Sequence, residues 1–314
     1  MLFLNRIKGR NNTGAVKSRA VKGDEMKKRA FLPCLLLAAF LTGCASQPAS
    51  DGIPYAGETQ EVVTAANSAT DSRWEKIRNE KVLKIGIDET FAPVFYQENG
   101  TLAGFGVETA AEMCRRLGLD PQFVSIDWSQ YEAALTDGTV DCLWGDICEE
   151  DGTVLEVSFA YLQGKQVLLC RTSSQTDNLA QLKEQSLGVR DGSCGDMVME
   201  LSTEFRSSLQ GTVEYENYTE LIRALDEGTI TGAVVDDVVA DYYIAQAPED
   251  YYILTSADGE TQEVLAREAY CVAFPLGEQT LSVKIEEALV GMRDDGTIAA
   301  LSQKWFGEDL SVSE

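Results

Sequence analysis

The 314-residue sequence contains no histidine, and this absence excludes several kinds of site. Catalysis of the Ser-His-Asp or Cys-His type needs an imidazole base, so an enzyme of this sequence would have to use a carboxylate or a lysine. A zinc site would need four thiolates, and the eight cysteines include no Cys-x-x-Cys pair. We therefore predict no catalytic residue, no metal site and no cofactor.

Basic residues are scarce, since 26 Lys and Arg face 51 Asp and Glu and give a formal net charge of −25. Residues 1–43 hold nine of the basic and two of the acidic residues, so the chain without them has a formal charge of about −32. A surface this negative repels phosphate groups. We therefore expect neither nucleic acid nor an anionic membrane surface as a direct partner.

No apolar run is long enough to cross a membrane. The run at residues 30–43 has 14 residues, whereas a transmembrane helix needs about 20. Basic residues precede this run, and small residues and Cys44 follow it, an order typical of a secretion signal. The closing letters "LTGC" resemble a bacterial lipobox, in which the cysteine is acylated and becomes the mature N-terminus.

These features predict a misassigned N-terminal extension over residues 1–25, a lipoprotein signal peptide over 26–43 and lipidation of Cys44. The protein would be lipid-anchored at the extracellular face of the cell membrane, or in the periplasm if the organism has an outer membrane. The alternative is an ordinary signal peptide with an incidental cysteine. Residues 44–74 are poor in large apolar side chains, which predicts a flexible tether.

The rest of the chain is long enough for two lobes, and its six cysteines permit disulfides outside the cell without fixing their pairing. Strand-like and helix-like segments alternate, which predicts a parallel α/β sheet. A first series has strands "VLKIGI", "QFVSI" and "VDCLW" with helices near 107–117 and 129–135. A second has "SLGV", "TVEYE" and "ITGAVV" with helices from Cys194 and near 220–225, and a last helical region covers 279–306.

An internal repeat links the two series, because "ALTDGTVDCLWGD" at 134–146 aligns without gaps on "ALDEGTITGAVVD" at 224–236. Each copy ends its strand on an aspartate, Asp146 or Asp236. Ligands of open parallel sheets bind beyond the carboxyl ends of the strands, so the repeat predicts two such edges that face each other across a cleft. The alternative is a Gly-Thr turn that merely precedes a strand.

The stretch "WGDICEEDG" at 144–152 places four carboxylates together without a basic residue. Its spacing does not match a calcium loop, which needs alternating acids before a glycine. We interpret Glu149 and Glu150 as solvated loop residues and the stretch as one wall of the cleft.

Five landmarks together resemble the extracytoplasmic solute-binding proteins of amino-acid ABC importers, bacterial family 3. They are "GIDETFAPVFYQENGTLAGFGVE", "LTDGTVDCLWG", "LGVRDGSCGD", "GAVVDDVVADYY" and "MRDDGTIAALSQKWF". The resemblance implies an α/β, two-lobed periplasmic-binding-protein-like (Venus flytrap) fold, each lobe a mostly parallel sheet flanked by helices. It makes "QVLLCR" and "AYCVAF" the crossing strands of a hinge. The lobes would then be 75–167 plus 268–314, and 168–267.

The resemblance also implies a ligand-binding site. Asp236 matches the aspartate that receives a ligand ammonium in the family, and Asp88 faces the same cationic end. Phe91 would stack on the ligand, Trp128 would line the cleft, and the helix that follows Ser193 would offer free amides to an α-carboxylate. The remaining candidates for ligand binding are Gly145, Asp146, Cys148 and Arg190.

The sequence departs from the family pattern at two places. The arginine that clamps the α-carboxylate is missing, since its place falls at Asp151 or Thr153, and Gly106 stands where an aspartate is expected. Arg190 could reach the carboxylate from the other lobe, and we favour this resolution. The alternative is a carboxylate-free cation, held by acids and by cation–π contact.

The predicted function is capture of an amino acid or related cationic amine by lobe closure, followed by delivery to an ABC permease in the membrane. We expect the protein to be a monomer. Two alternatives are a ligand-sensing co-receptor for a signalling partner and a dehydratase-like enzyme of the same fold.

Overall fold

The computed structural model describes residues 72–147, 155–256, 259 and 261–312. The predicted signal peptide, the lipidation site Cys44 and the site candidate Cys148 lie outside these residues. No helix in the described ranges is long and apolar enough to cross a membrane.

The first half of the described chain alternates strands with helices, as the sequence predicts. Its elements are α1 Ser72–Glu80, β1 Val82–Ile87, β2 Tyr96–Glu98, β3 Thr101–Ala103, α2 Phe105–Leu117, β4 Asp120–Ser125, α3 Tyr131–Thr136, β5 Cys142–Gly145 and β6 Leu155–Val157. Helix α2 ends at Gly118, which adopts the left-handed conformation that a residue with a side chain avoids. A short 3-10 turn at Trp128–Gln130 precedes α3.

The second half repeats this alternation and adds two long strands. Its elements are β7 Leu162–Arg171, β8 Ser186–Arg190, α4 Cys194–Leu201, α5 Thr203–Ser208, β9 Gly211–Tyr215, α6 Tyr218–Asp226, β10 Gly232–Asp236, α7 Asp237–Gln246, β11 Tyr251–Ile253 and β12 Val264–Pro275. The predicted 220–225 helix is longer than expected. It begins at Tyr218 because the Asn217 side chain caps it by accepting a hydrogen bond from the Glu220 amide.

The helical region predicted at 279–306 is divided into α8 Gln279–Asp294 and α9 Thr297–Phe306. The division falls at Gly296, whose φ of 80° is left-handed. Helix α8 packs against α2 of the first half. Its buried side chains include Leu281, Ile285, Leu289 and Met292, which recur at helical spacing.

The strands form a sheet in the order β4-β1-β5-β12-β7-β10-β8-β9. Strands β4, β1 and β5 are parallel, and so are β9, β8 and β10. We call the first set with its helices the first lobe and the second set the second lobe. Strands β12 and β7 are antiparallel to each other and to their inner neighbours, and join the lobes as the two predicted crossing strands.

The two lobes match strand for strand. In each lobe the third strand pairs with the first at a glycine, Gly86 in β1 and Gly188 in β8. Two residues beyond these glycines stand Asp88 and Arg190. The ends of the first strands therefore carry opposite charges at equivalent positions, a relation that the sequence repeat alone does not reveal.

The described cysteines divide into two kinds. Cys114, Cys142, Cys170 and Cys271 are free, and the first three are buried as small apolar residues. Cys194 is disulfide-bonded.

Candidate functional site

The carboxyl ends of four parallel strands meet between the lobes. Asp88 and Asp146 follow β1 and β5, while Arg190 and Asp236 end β8 and β10. All four are buried, with Arg190 0% and Asp236 1% exposed. Strand ends of a parallel sheet lie at one edge, which explains why residues so far apart in the chain share one interior.

Arg190 lies at the centre of this interior. Its Nη2 donates to Asp146 Oδ2 at 3.0 Å, and its Nη1 is 3.5 Å from Asp88 Oδ2. The guanidinium carbon also lies 5.2 Å from the ring centre of Trp128 and 4.8 Å from that of Tyr218. A second-lobe cation is thus held by two first-lobe carboxylates and by an aromatic ring of each lobe.

Asp146 receives a further hydrogen bond from the start of α4, where the Cys194 amide lies 3.1 Å from Oδ2. Ser193 caps this helix, because its Oγ accepts from the Asp196 amide at 3.0 Å. The amide next to Ser193 is therefore occupied by a carboxylate of the protein itself. Burial, followed by the charge of Asp236, raises the pKa of Asp146 to about 7, against the opposing effect of Arg190.

Asp236 has uncharged partners. Its Oδ2 accepts from the Tyr218 hydroxyl at 2.6 Å and its Oδ1 from the Tyr270 hydroxyl at 2.8 Å. Phe91 stacks on both tyrosine rings, with centroid distances of 5.3 Å and 6.3 Å, and is itself buried. In this structure Phe91 supports the tyrosines that orient Asp236.

Sequence reasoning did not find the contribution of the crossing strands. Gln166 on β7 donates to Glu268 on β12 at 2.6 Å, and a carboxylate oxygen of Glu268 lies within 4.8 Å of one of Asp146. Burial, then the charges of Asp236 and Asp146, raises the pKa of Glu268 well above its ordinary value. The sequence signal for this contribution is Glu268 itself, an acid within β12, whose C-terminal end is apolar and buried.

Two glycines singled out in the sequence have packing explanations. A side chain at Gly145 would meet the Trp128 ring at 2.7 Å, so the glycine lets that ring lie against β5. The Trp128 Nε1 then donates to the Asp146 carbonyl at 3.1 Å. At Gly106 a side chain would meet the Phe95 ring at 2.3 Å, so Phe95 occupies the space that the expected aspartate would need.

Comparison with known sequences agrees with this architecture. The family model of the bacterial extracellular solute-binding proteins, family 3, matches residues 83–308. The L-cystine-binding protein TcyJ of Escherichia coli (strain K12) is 25% identical over 254 residues, which cover 77% of this chain and 89% of TcyJ. The arginine-binding extracellular protein ArtP of Bacillus subtilis (strain 168) is 24% identical over 245 residues, covering 77% of this chain and 90% of ArtP.

A solved structure gives the same result in three dimensions. An ABC uptake transporter substrate binding protein from Streptococcus pneumoniae with bound histidine superposes with a TM-score of 0.70 at 30% identity, covering 78% of this chain and 100% of that chain. The likeness confirms the predicted two-lobed periplasmic-binding-protein-like fold.

Proposed function

Because the chain belongs to the bacterial extracellular solute-binding proteins of family 3, we propose that it is the substrate-binding component of an ABC importer. Its ligand is an amino acid or a related small polar amine. Relatives named for binding cystine and arginine support this class of ligand. An enzymatic function finds no support among these relatives, which are binding proteins.

The observation that carries the proposal is the buried charge shared by both lobes. Asp88 and Asp146 come from the first lobe, Asp236 comes from the second, and each is more than nine-tenths buried. Burying carboxylates costs free energy unless partners compensate them, so such a concentration at the strand ends is the expected signature of a ligand site.

Capture would occur by closure of the lobes about the crossing strands β7 and β12. The lobes touch directly where the Tyr218 amide donates to Thr90 Oγ1 at 3.2 Å and where Arg190 pairs with Asp88. A ligand favours this closed form only to the extent that it binds it more tightly than the open form. We propose lobe boundaries at 167/168 and 267/268, and the hinge would then lie within these two strands.

Each site candidate then has a role. Asp236 and Asp88 hold the positive end of the ligand through charge-assisted hydrogen bonds, and Phe91 and Trp128 form apolar walls. Gly145, Asp146 and Cys148 form the first-lobe wall of the cleft. Arg190 and Ser193 form the wall of the second lobe.

A thermal-shift screen of amino acids and amines tests the binding function. A ligand at 100 times its Kd should stabilise the folded protein by about 2.7 kcal/mol, and the shift should saturate with concentration. Asp236→Asn should reduce the shift while the variant remains folded by circular dichroism. A protein whose melting temperature no amino acid or amine changes would contradict the proposal.

We further propose that Cys44 carries the lipid that keeps the domain at the membrane beside its permease. A diacylated cysteine satisfies the two-anchor requirement for stable attachment. Metabolic labelling with a palmitate analogue should mark the wild-type protein and leave the Cys44→Ser variant unlabelled. Release of the wild-type protein into the medium without label would refute the anchor and leave the binding function untouched.

A further inference from the structure

The interior between the lobes holds more negative than positive charge. Four carboxylates, those of Asp88, Asp146, Asp236 and Glu268, surround one guanidinium, that of Arg190. Arg190 already pairs with Asp88 and Asp146. Asp236 and Glu268 accept from the two tyrosines and Gln166 and have no basic partner in the described part of the chain. They also hydrogen-bond each other and so share a proton, which a cationic ligand would displace.

Several buried acceptors lack a donor within the described part of the chain. They are Asp88 Oδ2, Gln166 Oε1 and Glu268 Oε1. Gln166 is 1% exposed, so water does not reach this oxygen from bulk solvent. Unpaired buried acceptors cost free energy, and donors carried by a ligand would remove that cost.

The position of Glu268 depends on a glycine of the other crossing strand. A side chain at Gly164 would lie 2.8 Å from Glu268 Oε1, so only the glycine leaves room for this carboxylate. The acid therefore occupies a space shaped for it, and it faces the interior rather than solvent.

The groove that leads to this interior is also acidic. It encloses about 310 Å³ and includes Asp88, Glu89, Asp127 and Glu216 among its lining residues. No basic residue belongs to the described lining, while Trp128 supplies an aromatic wall. A carboxylate on the ligand would meet repulsion along this route, and a positive group would be attracted.

We propose that the ligand is an organic cation with at least two positive groups and no carboxylate, such as a diamine or a guanidino amine, and that Glu268 selects it. One positive group lies against Asp236, Glu268 and the Gln166 oxygen, and the other lies toward Asp88 and the groove. Arg190 pairs with two carboxylates of the protein, and its Nε and Nη1, which lack a hydrogen-bond partner in the described part of the chain, would donate to a neutral acceptor rather than clamp a ligand carboxylate. This inference rests on the proposed binding function and names its ligand class.

Matched pairs of ligands test the proposal by isothermal titration calorimetry. Cadaverine is lysine without its carboxylate, and agmatine is arginine without its carboxylate, so each pair isolates one group. The protein is unfolded and refolded first to remove carried-over ligand, and titrations contain EDTA. Cadaverine or agmatine should bind at least about tenfold more tightly than its parent amino acid, since a buried charged hydrogen bond contributes that much.

Tighter binding of lysine or arginine would overturn the proposal and leave the binding function standing. Absence of binding by any amino acid or amine would overturn both. Stabilisation by a divalent metal that EDTA abolishes would also overturn it, because the carboxylates would then serve an inorganic cation.

The Glu268→Gln variant tests the selecting residue. It should weaken binding of the preferred diamine by at least about tenfold, because the positive group beside Asp236 loses one of its carboxylate partners. The exposed Glu249→Gln is the matched control and should leave the affinity unchanged. An unchanged diamine affinity in Glu268→Gln, or an equal loss in Glu249→Gln, would refute the selecting role of Glu268.

Discussion

The two lobes place side chains at equivalent strand ends, yet the charges differ in one pair and agree in the other. The first strands end at Asp88 and Arg190, which have opposite charge and pair across the lobes at 3.5 Å. The third strands lead into Asp146 and Asp236, which have the same charge, and the charge of Asp236 raises the cost of ionising Asp146. The opposite charges of Asp88 and Arg190 hold the lobes together. The like charges of Asp146 and Asp236 leave the site in need of a positive group from the ligand.

An aromatic residue accompanies each copy. Trp128 and Tyr218 each follow a helix-capping residue, Asp127 or Asn217, and each presents its ring to Arg190. Each lobe thus places one aromatic ring against Arg190, whereas the two carboxylates that pair with Arg190 both come from the first lobe. Substitutions at the equivalent positions can distinguish residues that bind the ligand from residues that hold the two lobes together.

The largest effect is expected from Arg190→Leu. It removes the buried guanidinium and leaves Asp146 and Asp88 without their partner, which should lower the free energy of unfolding by about 3–5 kcal/mol. Urea denaturation measures it. The control Arg223→Leu breaks an exposed pair with Glu220 and should cost no more than about 1 kcal/mol. Equal losses in the two variants would show that Arg190 is not a structural cation.

The next effect compares Asp236, the last residue of β10, with the adjacent Asp237. Asp236→Asn should weaken binding of the best ligand of the thermal-shift screen by about 1.5–3 kcal/mol, because a buried charged acceptor is lost. Asp237 faces Lys165, with 3.5 Å between the charged groups, and Asp237→Asn should leave the affinity unchanged. Calorimetry compares the two, and an equal loss from Asp237→Asn would contradict the placement of the ligand at Asp236.

A smaller effect is expected at the residue that precedes the aspartate in each copy of the internal repeat. The repeat sets Gly145 against Val235, and only the first copy has an indole ring pressed on its strand. Gly145→Ala should displace Trp128 and lower the free energy of unfolding by about 1 kcal/mol, at the low end for overpacking because the ring borders a groove. Chemical denaturation with unchanged stability would show that the ring has room to spare.

The last comparison concerns the pH dependence of stability. Asp146 has a pKa of about 7 in the folded protein against an ordinary 3.8, so the folded protein binds more protons between these values. Its contribution to stability is complete below about pH 4 and is lost as the pH rises through 7. The difference in unfolding free energy between wild type and Asp146→Asn should follow this course.

The other aspartate of the pair sharpens this test. Because the charge of Asp236 helps to raise the pKa of Asp146, Asp236→Asn should move the midpoint to lower pH. Urea denaturation from pH 4 to 8 measures both curves. A midpoint that stays in place would show that the two aspartates do not interact.

Much of the fold follows from local patterns in the sequence. Alternating segments predict the parallel strands, the Asn217 cap extends the predicted helix by two residues, and the left-handed Gly296 divides the last helical region. The repeat also predicts that Asp146 and Asp236 stand at strand ends. These features depend on short stretches of chain, which a sequence displays directly.

The partners of the site depend on long-range register, and the sequence does not display it. The pairing of Arg190 with Asp88 requires both first strands to be aligned on their glycines. Glu268 meets Gln166 only because β12 runs antiparallel to β7 over a hundred residues away, with an irregular register nearby. A lone acid in an apolar strand does not say which residues will surround it.

The Gln166–Glu268 hydrogen bond joins the two strands that run through both lobes, so it would persist when the lobes swing apart. A solute that arrives at the open protein would meet this fragment of the site already assembled, ahead of Asp146 and Arg190. Glu268 would therefore govern the rate of encounter, and the residues that come together afterwards would govern how long the solute stays. Stopped-flow fluorescence of single substitutions can read these two rates separately.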